Sequence, residues 1–378
     1  MRILFMTDSP TCWKSGIWFH RIEIPGQGLK SRGHGVMQVA IGKEIPDEYM
    51  EYPNTVIFGR TYPDYTDPIQ AMRDYKKQGK RVLYDMDDDY WAVTKDNPSR
   101  FVSNVFKDQY EGQIREADAL ITPSKILAKK MQKLTHKPVF ICPNAIDYEI
   151  YKERPHEHKE LIIGYMGAAS HWDDIALVID VLEKLTEKYD FYFVIYGMTG
   201  EPLEAAMHTY NRLLHSNLAP EQNPYFEKAL KFWNKLNKLK TIHIPFYPPE
   251  LHPTKLSLAD FDIGLAPLED TEFNRGKSNI KFYEYAAVGT VTLASDVEPY
   301  KSECNYLAKN TFKDWYNKLE KLIKDRAFRE VLLQKQKKWV KENRSLEKVA
   351  VLWEKACQLP GGLPVLNQEL DEPKDIKS

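Results

Sequence analysis

The sequence is short of cysteine, and its few cysteines are far apart. Cys12, Cys142, Cys304 and Cys357 form no Cys-x-x-Cys pair in a chain of 378 residues. Zinc sites and disulfide frameworks need cysteines at close or regular spacing, so we predict neither a structural metal site nor a disulfide. The four thiols are expected to be reduced, as is usual in the cytoplasm.

Long apolar runs and an excess of one charge are also missing. The first residues, MRILFM, are too short an apolar run for a signal peptide, and no stretch approaches the roughly 18 apolar residues of a membrane span. The 53 basic and 54 acidic residues leave a formal net charge of -1. Nucleic acid or an anionic membrane would therefore have to be met through a local patch. We expect a cytoplasmic protein without a transmembrane segment.

The motifs of several large enzyme classes are absent as well. The chain has no Gly-x-Ser-x-Gly, no Walker phosphate loop, no His-Glu-x-x-His and no Gly-x-Gly-x-x-Gly after its first predicted strand. These absences argue against hydrolase and dehydrogenase functions. The length favours two domains with separate cores, and 43% hydrophobic residues are ample to fill them.

What the sequence does contain is an alternation of short apolar runs with helix-length segments. Buried strands are predicted at 2–6, 36–41, 55–58, 81–84, 119–122 and 139–142. After a polar stretch at 151–160, the pattern restarts with strands at 161–166, 191–196, 241–244, 261–266 and 290–294. Alternating strands and helices form parallel sheets that are covered on both faces. The sequence thus predicts an α/β protein of two Rossmann-like, doubly wound domains.

The domain boundaries are predicted from this repetition. Residues 1–147 form the first domain and residues 148–345 the second, which contains a helical insertion at about 197–240. Residues 346–378 are predicted to be a helix that crosses back to the first domain and a mobile end rich in proline, glycine and acid. The aromatic and lysine residues of the insertion, such as Trp233, make it the segment where acceptor contacts are expected.

The most informative segment follows the predicted strand at 261–266 and has the sequence NRGKSNIKFYEYAAVG. Ser278 or Asn279 is predicted to cap the helix that starts there, and the free amides of such a helix start hold phosphate well. Lys277 and Lys281 are spaced to flank the same anion, and Glu284 lies about two turns in on a related face. The set suits a diphosphate and a ribose, although an ordinary capped surface helix has similar residues.

This segment resembles the donor-binding signature of family 4 retaining glycosyltransferases, which have the two-domain GT-B fold. The resemblance implies that the lysine and the helix amides hold the distal phosphate of a nucleotide, and that the glutamate binds the ribose hydroxyls. We assign these roles to Lys277, Ser278, Asn279 and Glu284. The residues of this chain that match the signature are Asn274, Lys277, Ser278, Lys281, Glu284, Tyr285, Ala287 and Gly289.

The chain departs from that family at one position. Many members have a second glutamate, eight residues before the first, that contacts the donor sugar, whereas this chain has Gly276. Asp270 or Glu272 is the alternative for this contact. The departure also makes a catalytically impaired nucleotide-sugar-binding protein an alternative to an active enzyme.

A second segment, GYMGAASHWDD, follows the predicted strand at 161–166 and resembles a Gly-x-x-x-His-x-x-Asp turn in one branch of the family. Gly167 lets the backbone approach a ligand closely, and Ala168 and Ser170 lie where backbone amides face a diphosphate. His171 is predicted to donate a further hydrogen bond to it. Any turn between a strand and a helix also favours glycine and a capping residue, which is the structural alternative.

A third segment, from Asp8 to Arg21, follows the first predicted strand and resembles the opening loop of the family. Gly16 is predicted to let this loop approach donor and acceptor across the cleft. His20 and Arg21 lie on the following helix, where they face either the cleft or the core.

A fourth segment, YDMDDDYW, has four carboxylates within five residues at the end of a predicted strand. So many carboxylates do not all ionise cheaply unless positive charge is near. One interpretation is a divalent-cation site at 85–89, which would make the protein a metal-dependent transferase. A second is that Asp85, Asp87 or Asp88 faces the acceptor hydroxyl, and a third is a solvated acidic loop.

Taken with the resemblance, these segments predict a glycosyltransferase that moves a sugar from a nucleoside-diphosphate sugar to an acceptor hydroxyl with retention of configuration. Lys277, Glu284, Asp87 and His171 are the predicted catalytic residues, and no metal or other cofactor is expected. The acceptor stays open between a polysaccharide, a lipid-linked sugar, a small molecule, a protein and modified DNA.

Overall fold

The chain folds into two parallel β-sheets, each flanked by helices. The computed structural model describes residues 1–8, 15–41, 45–59, 67–93, 100–154, 156, 158–167, 171–197 and 226–358. Each sheet has six strands, and all strand pairs within both sheets are parallel. The predicted doubly wound α/β architecture is therefore confirmed.

The first sheet has the strand order β2-β1-β3-β4-β5-β6. Its strands are β1 (Arg2–Asp8), β2 (Gly35–Ile41), β3 (Thr55–Phe58), β4 (Arg81–Asp85), β5 (Ala119–Thr122) and β6 (Val139–Ile141). A π-helical turn, Phe19–Glu23, joins the first two of its helices. These helices are α1 (Gly16–Trp18), α2 (Ile24–Ser31), α3 (Asp47–Glu51), α4 (Pro68–Lys77), α5 (Arg100–Glu116) and α6 (Lys125–Leu134).

The second sheet has the order β12-β11-β10-β7-β8-β9. Its strands are β7 (Leu161–Met166), β8 (Phe191–Tyr196), β9 (Thr241–Ile244), β10 (Ile263–Ala266), β11 (Val291–Ser295) and β12 (Leu307–Ala308). A 3-10 turn covers Tyr300–Ser302. The helices are α7 (Trp172–Thr186), α8 (Phe226–Leu236), α9 (His252–Ala259), α10 (Glu272–Arg275), α11 (Ile280–Ala287), α12 (Phe312–Lys324), α13 (Arg326–Arg344) and α14 (Leu346–Gln358).

Burial of the strands on both faces explains why they are apolar throughout. Every residue of β3, β5, β10 and β11 is buried, as expected for parallel strands covered by helices on both sides. One hydrophobic cluster includes side chains from both sheets, such as Phe5 and Ala294, so the two halves pack against each other. Trp353 of α14 belongs to the same cluster and lies 5.7 Å from the Phe5 ring.

The strand orders show where each sheet is expected to bind a ligand. In the second sheet the chain reverses direction across the sheet between β7 and β10, and in the first sheet it does so between β1 and β3. Ligands of doubly wound sheets bind at the carboxyl ends of the strands, beside such a reversal. The segments that begin at Gly167 and at residue 267 follow β7 and β10, so both predicted donor loops lie at this point.

The details differ from the sequence prediction in a few places. The strand β12 has only two residues and was not predicted, and β10 begins at Ile263 rather than at 261. One predicted helix of the insertion corresponds to α8, while the pattern at 202–215 lies outside the described residues. Each sheet forms within one predicted domain, and Ser345 pairs with Ile146 where the chain crosses back. None of the described helices is both long and apolar enough to cross a bilayer.

Candidate active site

The loop between β10 and α11 is held in place by its own polar side chains. Thr271 caps α10 by accepting a hydrogen bond from the Asn274 amide at 3.1 Å. The Asn274 side chain is buried and donates to the Glu269 carbonyl oxygen at 3.0 Å. The Tyr285 hydroxyl accepts from the Met166 amide at 2.7 Å, which ties α11 to the end of β7. In this structure Asn274 therefore shapes the loop.

The start of α11 is not capped by a side chain, contrary to the sequence prediction. Asn279 precedes the helix but turns its amide nitrogen to Glu303 Oε2, 2.6 Å away. The Ser278 hydroxyl instead accepts from Asn144 Nδ2 of the first domain at 3.1 Å. Both side chains form hydrogen bonds with residues of other elements, so neither caps α11. The backbone amides of the first turn consequently have no side-chain acceptor.

Two lysines and a histidine–aspartate pair gather beside this helix start. His171 Nδ1 lies 3.0 Å from Asp174 Oδ2, and Asp174 Oδ1 accepts from the Glu269 amide at 3.0 Å. Burial, supported by the positive charge of Lys277, lowers the pKa of Lys281 to about 8. The nearby Lys277 charge, together with burial, lowers the pKa of His171 to about 4. The charge of Lys277 thus acts on both Lys281 and His171, and a bound anion would offset it.

The protonation state of His171 determines which hydrogen bonds its ring can form. With a pKa of about 4 the ring is neutral at pH 7, and its Nδ1 faces the Asp174 carboxylate. A neutral imidazole has one N–H, which this contact places on Nδ1, so Nε2 is a hydrogen-bond acceptor. In this structure Nε2 therefore suits a sugar hydroxyl, while the predicted hydrogen bond from His171 to a diphosphate stays a prediction.

Gly167 is required by packing as well as by its place in the turn. An added Cβ would lie 2.8 Å from the Tyr165 hydroxyl oxygen. The Gly167 amide donates to the Tyr196 carbonyl at 3.0 Å. The Cβ of a side chain at Gly197, which has a φ of +92°, would come within 2.9 Å of the Gly167 oxygen. Ala168 and Ser170, the other predicted amide donors, lie outside the described residues.

Glu284 is buried in a cluster that the sequence did not reveal. Its carboxylate accepts from the Tyr151 hydroxyl at 2.5 Å and lies 3.0 Å from His252 Nε2 and 3.4 Å from His20 Nε2. Burial opposes ionisation, but the two histidines hold the pKa of Glu284 well below its usual value. His20 belongs to the first domain and Glu284 to the second. All three contacts are made by Oε1, and the predicted ribose contact stays a prediction.

The sequence contains only weak signals for the new members of this cluster. His252 begins α9, in the connection that follows β9, and its Nδ1 lies 3.0 Å from the Tyr196 hydroxyl. Its place after a parallel strand is a signal, since such connections meet at the ligand edge of the sheet. Tyr151 lies in a polar stretch and is only 1% exposed, and nothing in the sequence distinguishes it.

The carboxylates of the acidic segment after β4 bind different partners. Asp85 is 4% exposed and receives hydrogen bonds from Arg21 Nη2 at 2.6 Å and Nε at 2.9 Å. The Arg21 guanidinium also donates to the Cys142 carbonyl at 2.7 Å and lies 4.9 Å from the Trp353 ring. Asp85 therefore pairs with Arg21 in the core, and the prediction that it faces the acceptor is wrong.

Asp87 and Asp89 of that segment have partners other than Arg21. The Tyr90 hydroxyl donates to Asp87 Oδ1 at 2.7 Å, and Lys130 donates to Asp89 Oδ2 at 2.6 Å. Among the described residues, the histidine, cysteine and acidic side chains whose ligand atoms converge are instead His156, His158 and Asp262. This geometry does not support the alternative of a cation site at 85–89. Asp87 is half-buried, and its catalytic role stays a prediction.

Gly276 lies opposite a buried aspartate of the first domain. An added Cβ would lie 3.5 Å from Asp89 Cβ, and the Gly276 carbonyl accepts from the Ser124 hydroxyl at 2.7 Å. Asp89 is 3% exposed, so a glutamate side chain directed towards it would bring two like charges together. The Lys130 ammonium donates to both Asp89 and Glu272 Oε1, the latter at 2.9 Å. Its positive charge is therefore already shared by two carboxylates.

Gly16 gives a clean test of whether a ligand requires a glycine. It starts α1 and is exposed, and among the described residues an added Cβ would meet no atom within 4 Å. We expect Gly16→Val to leave the thermal unfolding midpoint unchanged and to raise the KM for donor or acceptor, because only a bound molecule would clash. Steady-state kinetics and a melting curve measure both. Unchanged KM values would contradict a role for Gly16 in ligand approach.

Comparison with known proteins identifies the fold. No protein-family model matches the sequence, and no curated protein sequence matches it. Solved structures do match, and the similar structures are glycosyltransferases of the GT-B fold. The two parallel sheets of this chain, with their flanking helices, therefore form a two-domain α/β protein of the GT-B fold. The predicted fold class is confirmed.

Three of the similar structures contain UDP. The HepE protein of Anabaena, in complex with UDP and glucose, has a TM-score of 0.62 and 13% identity, over 95% of this chain and all of that one. An alpha-glucosyltransferase called AGT, in complex with UDP, has a TM-score of 0.61 and 14% identity over the same shares. S. aureus TarM has a TM-score of 0.55 and 13% identity, over 80% of this chain and 55% of TarM.

Proposed function

We propose that this protein is a glycosyltransferase of the family 4 type that transfers a sugar from a nucleoside-diphosphate sugar to an acceptor hydroxyl. The observation that carries the proposal is the pair Lys277 and Lys281 beside an uncapped helix start, at the chain reversal of the second sheet. Lysine ammonium groups and free helix amides are the groups that bind a diphosphate. The similar structures support a uridine nucleotide, since HepE and AGT are both described with UDP.

The mechanism follows from where positive charge lies. As the bond between the anomeric carbon and the diphosphate oxygen breaks, negative charge grows on the diphosphate. Lys277, Lys281 and the amides of α11 stabilise that charge more than they stabilise the bound donor, which lowers the barrier. The acceptor oxygen bonds to the anomeric carbon on the same face, and its proton passes to the departing phosphate. Configuration is then retained without a protein nucleophile.

This mechanism requires no metal cofactor, because protein groups supply the positive charge. His171 Nε2 would accept a hydrogen bond from a hydroxyl of the donor sugar, which orients it. Asp174 keeps His171 in this state through the 3.0 Å contact to Nδ1. The proposed site therefore has one part for the diphosphate and one for the sugar.

Product analysis tests this proposal. The purified protein is incubated with UDP-glucose or UDP-N-acetylglucosamine and candidate acceptors, and released UDP and the anomeric configuration of the product are measured by NMR. The proposal predicts UDP release that depends on acceptor, and a product with the configuration of the donor. Donor binding without release or transfer, for every acceptor tried, would favour the alternative of a catalytically impaired binding protein.

The affinity for a nucleoside diphosphate is expected to fall above pH 8. The diphosphate needs Lys281 as an ammonium, and its lowered pKa means that the charge is present below about pH 8 and lost above it. Binding then requires proton uptake, which costs up to about tenfold in Kd for each pH unit. Calorimetric titration with UDP across this range measures the effect.

The variant Lys281→Met is the control for this pH dependence. It is expected to bind UDP more weakly, with a Kd that does not change around pH 8, because the titrating group is gone. A wild-type pH profile in this variant would show that another group is responsible.

A further inference from the structure

A cavity of about 440 Å³ lies between the two domains, beside the donor segment. The first domain contributes residues 123–126, 129, 141 and 143 to its wall. The second contributes residues 275, 277–279, 283, 298, 299, 301–303, 339, 343 and 344. Lys277 is thus shared between this cavity and the proposed diphosphate site. A molecule in the cavity lies next to the group that would hold the donor.

The charge of the cavity differs from that of the whole chain. Six basic side chains face it, and only two acidic ones, Glu298 and Glu303, oppose them. The complete protein is almost neutral, with a formal charge of -1. Positive charge is therefore concentrated at this place. The six basic residues are Lys125, Lys129, Arg275, Lys277, Lys301 and Arg344.

Only part of this positive charge is neutralised within the protein. Arg344 pairs with Glu303, and Arg275 Nε donates to Asp270 Oδ1 at 2.6 Å. The described contacts give Lys125, Lys129 and Lys277 no carboxylate partner, and the Lys301 ammonium is 4.0 Å from the nearest one. These four lysines face the cavity together with one further acidic side chain, Glu298, so the net charge available to a ligand is positive.

The lysines of the first domain are presented on one side of a helix. Lys125 and Lys129 are exposed and lie one turn apart on α6, so their side chains are neighbours. Ser124 caps this helix by accepting from the Leu127 amide, and its hydroxyl donates to the Gly276 carbonyl at 2.7 Å. This hydrogen bond holds the lysine-bearing helix directly against the loop that leads to Lys277.

We propose that this cavity binds the acceptor and that the acceptor is a chain linked by phosphodiesters. The proposal rests on the proposed function, because an acceptor must reach a donor held at Lys277. With a donor diphosphate at Lys277, a neutral glycan would still leave Lys125 and Lys129 without a counter-charge, whereas regularly spaced phosphates match these lysines and Lys301 across two domains. Lys125 and Lys129 bind the backbone of this acceptor, and the reacting hydroxyl lies near Lys277.

Binding of labelled chains at several salt concentrations tests the proposal. The probes are a short single-stranded oligodeoxynucleotide, an oligomer of poly(glycerol phosphate) and a neutral dextran, each carrying fluorescein and followed by anisotropy with UDP present. We expect at least one phosphate chain to bind the wild-type protein and dextran not to bind. Binding of one phosphate chain alone supports the proposal and names its source.

The double variant Lys125→Ala/Lys129→Ala locates the contacts. For a single-stranded chain, the slope of log K against log salt should become shallower by about 0.7 for each lost phosphate contact. The matched control is Lys30→Ala/Lys313→Ala, which removes equal charge from exposed helical lysines outside the cavity. This control is expected to keep the wild-type slope. Equal loss in both double variants, or no binding of any phosphate chain, overturns the proposal.

The same samples separate this proposal from the proposed function. UDP binding is measured on each protein by calorimetry, and both double variants are expected to retain it, because neither changes Lys277 or Lys281. A wild-type protein that binds UDP but no phosphate chain contradicts the acceptor assignment alone. A wild-type protein that binds neither UDP nor any other nucleoside diphosphate contradicts the proposed function.

Discussion

Replacing Lys277 by alanine is expected to lower turnover by about 100- to 1000-fold and to leave the unfolding midpoint unchanged. Removal of one group that stabilises developing negative charge costs roughly this factor in other enzymes. The fold should tolerate the change because, in the described part of the structure, Lys277 forms no ion pair and only lies 4.6 Å from the Phe273 ring. Initial rates and a melting curve on the same preparation measure both effects.

The control for this variant is Lys318→Ala. Lys318 has a similar contact, with its ammonium 5.3 Å from the Tyr306 ring, but it lies on α12 away from the donor segment. It should keep both turnover and stability. Wild-type turnover in Lys277→Ala would remove this residue from the mechanism, and a large drop in its unfolding midpoint would show a structural role instead.

Replacing Arg21 by alanine is expected to destabilise the protein by about 3–5 kcal/mol, the range measured when one partner of a buried ion pair is removed. Asp85 would be left with its carboxylate buried and without its two charge-assisted hydrogen bonds. The packing of the guanidinium on Trp353 would be lost as well. Thermal and urea unfolding measure the effect, with the first domain expected to unfold earlier.

An exposed arginine provides the comparison. Arg73 pairs with Glu116 at 2.7 Å on the surface, where solvent screens the interaction, so Arg73→Ala should change the unfolding midpoint little. If Arg21→Ala unfolded at the wild-type midpoint, the ion pair with Asp85 would not be a stabilising element. Reduced activity without reduced stability would instead support the earlier alternative that Asp85 faces the acceptor.

The fold could be predicted from the sequence because its signals are local. Strands buried on both faces are continuous apolar runs, and for that reason β3 and β5 begin and end where predicted. The partly exposed strands β7, β8 and β9 are rich in β-branched and aromatic residues, and their bounds were also predicted. The two-residue β12 has no such run. The donor loops were also predictable, since parallel strands have their carboxyl ends at one edge of the sheet.

The contacts that define the site could not be predicted, because they join residues far apart in the chain. Arg21 and Asp85 are 64 positions apart, and Tyr151 and Glu284 are 133 apart. A single sequence shows that carboxylates are crowded at 85–89 but not the directions of their side chains. It likewise shows a glycine at 276, but it does not show that Asp89 lies opposite this glycine in the fold.

The most direct test of the central claim is a thermal-shift screen of the purified protein against UDP, GDP, ADP, TDP and CDP sugars, with and without magnesium. A ligand that binds only the folded state must raise the unfolding midpoint. The account predicts a shift by one nucleotide family, independent of magnesium, that disappears in Lys277→Ala and persists in Lys318→Ala. No shift with any nucleotide sugar, or an equal shift in Lys277→Ala, would contradict a donor site at the start of α11.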